Sequence, residues 1–257
     1  DIVLEPSFNY EYADLMKTVQ DILTMFDTIA PLSLAAKWDS VGLQIGDPNA
    51  VISKVIVALE VTPALLDRLA QETGGLVLTH HPVFFKPIRQ LHYGHDMGQI
   101  IRAFVSNGHH LISLHTNLDA AKGGVNDVLL SVYGLDREEG LAIDEGIGRW
   151  FSFDQAREFS LFTKAMPHQC LGARHDGPVS RLGVCAGSAH GLMTQVRDLN
   201  LDCLITGEIH YHDDVFAQFH QIRVIQLGHY ESEVLVLPHL KTWIEEAGPG
   251  LEVQVFS

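Results

Sequence analysis

At 257 residues, 46% apolar and 19% charged, the chain can bury one large core or two modest ones, and its composition excludes disorder. A net charge of −15 with no basic run argues against nucleic-acid binding through a broad phosphate-contacting surface, which needs clustered Lys and Arg. Fifteen histidines, against 17 Lys plus Arg, is the unusual count.

Apolar spacing with Leu15, Val19, Ile22, Leu23 and Phe26 on one face predicts a helix from about Tyr12 to Ile29. Pro31 breaks it, and the loop Trp38-Asp39-Ser40-Val41-Gly42-Leu43-Gln44-Ile45-Gly46-Asp47 comes next. From there the pattern alternates: strand Val55 to Leu59, helix Pro63 to Glu72, strand Leu76 to Thr79, helix Asp96 to Ser106, strand Leu111 to Leu114, helix Val125 to Val132. Such alternation means βαβ units and a mostly parallel sheet. Glycines and charges around Asp136 to Gly148 mark a lobe boundary, and Trp150 to Cys185 is rich in β signals and turns. A second α/β unit comes next: strand Leu182 to Cys185, helix Leu192 to Leu199, strand Cys203 to Thr206, a helix, and strand Val224 to Leu227. An amphipathic helix from about Glu231 to Glu246 closes the chain. The Val55-to-His80 stretch echoes Leu182-to-Gly207, so the expected architecture is two similar α/β lobes with mostly parallel sheets. Residues 1–140 form the first lobe and 141–257 the second, with 228–257 returning to a shared site.

Cys170, Cys185 and Cys203 lack CxxC spacing, which fits a reducing compartment and offers neither a disulfide framework nor a structural zinc motif. No apolar stretch approaches the roughly 18 residues of a membrane span. Asp1-Ile2-Val3-Leu4-Glu5 carries no basic region before an apolar core. A cytoplasmic protein without membrane partners is expected.

Four apolar runs stop at clusters of metal-capable side chains: at His80-His81-Pro82, at His115 to Asp119, at Glu208 to Asp213, and at His229 to Glu233. In open α/β sheets, sites form just beyond the carboxyl ends of strands, so four such ends suggest one site, and a metal site first. Successive strand residues point to opposite faces, so His80 and His81 suit two neighbouring metals about 3.5–4 Å apart better than one, or else simply hydrogen-bond within a polar loop. Asp119 can bridge two cations, or cap a helix starting near Lys122. His115 can orient a ligand or bond within its loop. His229 and Glu233, four apart, share a helix face if the last helix has begun by His229. Glu231 and Ser232 compete as first-turn and capping residues. Either His210 or His212 can contact substrate or act as a base, or simply bond the backbone at a helix start. His212, followed by Asp213, is the candidate proton shuttle. No Walker loop, GxGxxG after a strand or GxSxG elbow occurs.

Together these motifs resemble the NIF-three-like family of dinuclear metal-centre proteins, also known as GTP cyclohydrolase 1 type 2. The matching segments are Trp38 to Gly46, Thr79 to Pro82, His115 to Ala121, Thr206 to His212 and Gly228 to Glu233. They extend over nearly the whole chain. The resemblance implies two divalent transition-metal ions, of zinc, iron, manganese, cobalt or nickel, held by His80, His81, Asp119, His229 and Glu233 in a cleft between two α/β lobes. It also implies a toroidal homohexamer, in a short form without the inserted domain of longer members. Ser40 stands where Asn is usual and Glu60 where Asp is usual; neither is expected to touch a ligand. The activity implied is hydrolysis at C8 of the guanine ring of GTP with release of formate, a nucleotide substrate thus being expected. The rival expectation is a non-catalytic ring protein that stores, senses or delivers metal.

Overall fold

A computed structural model of the chain describes residues 18–137 and 140–257 and divides into two compact units. Among the described residues, one contains Thr18–Ala121 together with Val236–Ser257; the other is Lys122–Leu235.

The first unit opens with α1 (Val19–Ile29), started by a reciprocal cap. The Thr18 hydroxyl accepts from the Asp21 N–H at 3.2 Å, and the Asp21 carboxylate accepts from the Thr18 N–H at 3.0 Å. The expected helix residues before Thr18 lie outside the described residues. Next come β1 (Gly42–Ile45), β2 (Lys54–Ala58), α2 (Pro63–Leu69), β3 (Gly75–Thr79), α3 (Asp96–Asn107), β4 (His109–Ser113) and the short α4 (Thr116–Ala120). Strands β2, β3 and β4 run parallel, with β1 antiparallel at the edge against β4. Interior strands of this kind have both faces covered, which explains their continuous apolar runs. Ile56, Leu65, Leu69, Val77, Phe104 and Leu111 form a core between this sheet and helices α2 and α3.

The second unit contains α5 (Val125–Val132), β5 (Leu141–Ile143), β6 (Gly148–Arg157), α6 (Ser160–Thr163), β7 (Gln169–Gly172), β8 (Val179–Ser188), α7 (Met193–Asp198), β9 (Cys203–Glu208), α8 (Tyr211–Phe219), β10 (Arg223–Gln226) and α9 (His229–Glu233). Its sheet order is β5-β6-β8-β9-β10-β7. The central strands β8, β9 and β10 are parallel, and β5, β6 and β7 join antiparallel at the flanks. Cys185, Met193, Val196, Leu201, Leu204 and Val224 pack its core.

The chain then returns to the first unit through α10 (Leu237–Ala247) and β11 (Glu252–Phe256), which adds parallel to β2. The first sheet is thus ordered β1-β4-β3-β2-β11.

Three expectations differ from this arrangement. The chain divides after Ala121 rather than near residue 140. The reason is Asn126 on α5, whose amide donates to the Ile147 carbonyl at 2.5 Å and accepts from the Ala186 N–H at 2.8 Å, tying α5 to β8. Residues 228–257 do not travel together: the Gly228 N–H donates to the Gly207 carbonyl at 2.8 Å, holding α9 in the second unit, while α10 and β11 belong to the first. Nor is Glu231 to Glu246 one helix, since a 3₁₀ turn at Val234–Val236 separates α9 from α10. Pro238 sits in the first turn of α10, where its missing N–H does no harm. The result is a mixed α/β fold with two sheets. No helix among the described residues is long and apolar enough to cross a membrane.

Phe104 is fully buried between α3 and the sheet. Phe104→Ala is expected to lower the unfolding free energy of the first unit by about 3–5 kcal/mol, read from urea titrations of full-length protein.

Candidate metal centre

The parallel register that pairs Thr79 with Ser113 brings the carboxyl ends of β3 and β4 side by side. The segments leaving these two strands therefore meet. The His80 and His81 N–H groups donate to the Ala58 and Leu59 carbonyls at 3.3 and 2.8 Å, extending the ladder just past the strand. His80 is fully buried. Its Nδ1 lies 2.8 Å from the Leu114 carbonyl, which can only accept, so Nδ1 carries the proton. In the neutral ring Nε2 then holds the lone pair, and it points at Asp119 Oδ1, 3.6 Å away. A lone pair facing a carboxylate oxygen suits a shared cation, because donor atoms on one tetrahedral metal sit about 3.3 Å apart. Asp119 lies inside α4 and Gly124 precedes α5, so the capping alternative does not hold.

His81 is half-buried, its ring 5.0 Å from that of His80. His115 completes a trio whose metal-capable atoms lie within 4.8 Å of one another. The orientation of His115 comes from Asp39, whose Oδ1 lies 3.0 Å from its Nδ1 and whose Oδ2 accepts from the Thr116 N–H at 3.0 Å. Burial pushes the Asp39 carboxyl up, but the hydrogen bonds from His115 and Thr116 outweigh it and hold the group at about 2. Exposed Trp38 and Phe85 set their rings edge-on to His115, at 6.0 and 5.6 Å. Glu60, expected to stay clear of the ligands, brings Oε2 to 3.8 Å from His81 Nδ1.

In the second unit His229 opens α9, so His229 and Glu233 do share a helix face. His229 Nε2 lies 3.2 Å from Glu233 Oε2, and its Nδ1 lies 3.1 Å from Glu208 Oε1 at the end of β9. The carboxylate–imidazole–carboxylate chain has the form of a metal-binding histidine oriented from behind. Gly187 makes room for it. At φ +62° it takes the left-handed conformation, and a Cβ there would stand 2.1 Å from Glu233 Oε1. Ser232, between the two ligand candidates, accepts the Gly187 N–H at 2.9 Å and donates to the His229 carbonyl at 2.9 Å.

His212 is exposed on the first turn of α8, its ring 5.5 Å from that of Tyr211. At that strand end His190, His210 and Asp213 gather instead, their metal-capable atoms within 4.8 Å of one another. Residues missed from sequence are thus Asp39, Glu208, Gly187 and His190. Asp39 and Glu208 lie inside family-matching segments, so a carboxylate beside a histidine cluster was the available signal. Nothing local marks Gly187 or His190.

Hydrogen bonding and charge from Glu233, joined by Glu208, raise His229 to about 9 from 6.5, against the effect of burial. A raised value means that the charged ring stabilises the metal-free fold fully below about pH 6.5 and loses that effect as pH rises through about 9. Chelator-treated protein is expected to show a falling thermal midpoint across that window, and Glu233→Gln to flatten the slope. An unchanged slope in the variant would contradict the assigned pairing.

The Duf34/NIF3 (NGG1p interacting factor 3) family model matches residues 17–257. A GTP cyclohydrolase 1 type 2 homolog of Clostridium acetobutylicum is 29% identical over 227 residues, covering 84% of this chain and 85% of the relative. A Helicobacter pylori protein named GTP cyclohydrolase 1 type 2 is 29% identical over 222 residues, 85% of this chain and 88% of its own. Among solved structures, reduced HcgD from Methanocaldococcus jannaschii matches with a TM-score of 0.80 and 26% identity, covering 93% of this chain and 97% of that one. Staphylococcus aureus protein SA1388 has the same fold, with a TM-score of 0.78 at 24% identity over 94% of this chain and 96% of its own. The chain therefore belongs to the Duf34/NIF3 family.

Proposed function

We propose that this protein is a dinuclear metal-dependent hydrolase of the GTP cyclohydrolase 1 type 2 kind, in which His80, His81, Asp119, His229 and Glu233 hold two divalent transition-metal ions. In this reading the donors of the two units serve one centre in a cleft between two α/β lobes. The observation that carries it is the arrangement of His80: one ring nitrogen tied to a carbonyl, the other aimed at a buried carboxylate. Relatives named GTP cyclohydrolase 1 type 2 support the choice of reaction. Imidazole and carboxylate donors suit zinc, iron, manganese, cobalt or nickel, and affinity order does not choose among them.

When bound, two such ions supply Lewis-acid activation of water for attack on an electrophilic carbon. The chain's own groups do the rest. The Leu114 carbonyl and Glu208 keep His80 and His229 in one tautomer, so that each presents Nε2. Asp39 orients His115 beside the His80–His81 pair, in position to bond a substrate oxygen or nitrogen. Trp38 and Phe85 offer π-faces next to it, suited to a planar base. His212, exposed at the start of α8, carries protons to and from solvent in this scheme. The substrate is GTP, opened at C8 of guanine with formate leaving. The same reading makes the protein a cytoplasmic toroidal homohexamer.

Elemental analysis of the purified full-length protein is expected to find two equivalents of metal per chain more in the wild type than in a His80→Ala, His81→Ala double variant. Unchanged metal content in that variant refutes the ligand assignment. Metal-loaded protein incubated with GTP is expected to release formate, and His80→Ala to lower the rate by at least roughly 10–100-fold. Absence of formate from the loaded wild type sinks the GTP reading and favours a role in metal storage or sensing.

A further inference from the structure

At the paired ends of β8 and β9 a second group of donors has no place in the proposed dinuclear centre. Ser188 pairs with Glu208, and the Ala189 N–H donates to the Glu208 carbonyl at 3.0 Å. The turn after β8 and the turn after β9 are therefore held side by side by main-chain bonds. One carries His190 and the other His210, whose rings sit 4.2 Å apart, centre to centre, with 31° between their planes. Asp213 reaches back from the first turn of α8. Its Oδ2 accepts the His210 N–H at 3.1 Å and lies 3.5 Å from His190 Nδ1.

We infer that His190, His210 and Asp213 form an additional metal site that takes one divalent transition-metal ion of the zinc, cobalt, nickel or copper class. Two imidazoles and a carboxylate are the donor set such ions prefer, and harder cations such as magnesium want oxygen alone. The spacing fits. Donors on a tetrahedral ion with bonds of about 2.0–2.1 Å stand about 3.3 Å apart, close to the 3.5 Å between His190 and Asp213. All three donor atoms fall within 4.8 Å of one another, so closure asks only for side-chain rotation. The main chain beneath them is fixed by the β8–β9 pairing and the start of α8, so little order is lost on binding. A net charge of −15 raises the local cation concentration at any such surface site. Three protein ligands leave a coordination position open, as in sites that accept water or a small anion. His190 and His210 are exposed, so the ion exchanges with solvent.

The test is a stoichiometric titration of metal-depleted full-length protein with Zn²⁺ against a chromophoric chelator, repeated with Co²⁺ to record visible absorption. His190→Ala is expected to bind one equivalent fewer than wild type, whatever the total, and to lose one tetrahedral Co²⁺ band. His190 lies on an exposed turn, so its removal leaves the fold intact, which far-ultraviolet circular dichroism checks. His210→Ala is expected to give the same loss, and Asp213→Asn to weaken that equivalent by roughly 10–100-fold. In a His80→Ala, His81→Ala, His229→Ala background the equivalent is expected to remain and to disappear on adding His190→Ala. Equal stoichiometry in wild type and His190→Ala overturns the proposal. The wild-type-to-His190→Ala difference stays at one equivalent even if the dinuclear reading fails, so the two failures are distinguishable.

Discussion

The Nδ1–H of His80 donates to the Leu114 carbonyl, and the pairing of β3 with β4 keeps that bond in place. It requires that the residue after β3 and the residue after β4 be neighbours, which the Thr79–Ser113 register provides. The Thr79 and Ser113 hydroxyls, 2.9 Å apart and both fully buried, tie the strand ends together once more. With one nitrogen committed, the other has a defined direction and a defined chemical form. A histidine free to flip or change tautomer would present a donor only part of the time.

Buried carboxylates are costly to desolvate, and this fold tolerates them by giving each a positive or hydrogen-bonding neighbour. Asp39 is the clearest case, with a fully buried side chain, a low pKa, and both oxygens engaged by His115 and Thr116. Glu233 is handled differently. Its carboxylate needs space as well as a partner, and the space comes from Gly187, where any side chain would collide with it. Gly207 does the same beneath Ser232, since a Cβ there would stand 2.6 Å from the Ser232 hydroxyl. Two adjacent strands thus give up side chains so that α9 can lie close against them.

Much of this was legible from the chain alone. The apolar runs that became β2, β3, β4, β9 and β10 were plain, because buried parallel strands need continuous Val, Ile and Leu. The i,i+4 spacing of His229 and Glu233 was equally readable, because α9 begins at His229. β1 and β11 were missed for a physical reason: both are edge strands, half-buried, with polar residues and no apolar run to announce them. The domain boundary was misplaced because glycines and charges mark a turn whether or not two cores part there. Here Asn126 bridges that stretch by two hydrogen bonds, and the division falls at Ala121, just before the Gly123-Gly124 pair.

What the sequence determined by itself was chemical: which residue types end which strands, and hence that imidazoles and carboxylates would gather at strand ends. Those are consequences of local periodicity, and short-range steric rules suffice to read them. Tertiary structure alone decided which clusters meet. Asp39 reaches His115 across 76 residues, Glu208 reaches His229 across 21, and His190 reaches His210 through strand pairing. No local signal encodes those meetings, because they depend on register and on where the chain returns. The same dependence sends the last strand back to β2, a pairing set by the packing of α10 and β11 rather than by anything adjacent in sequence.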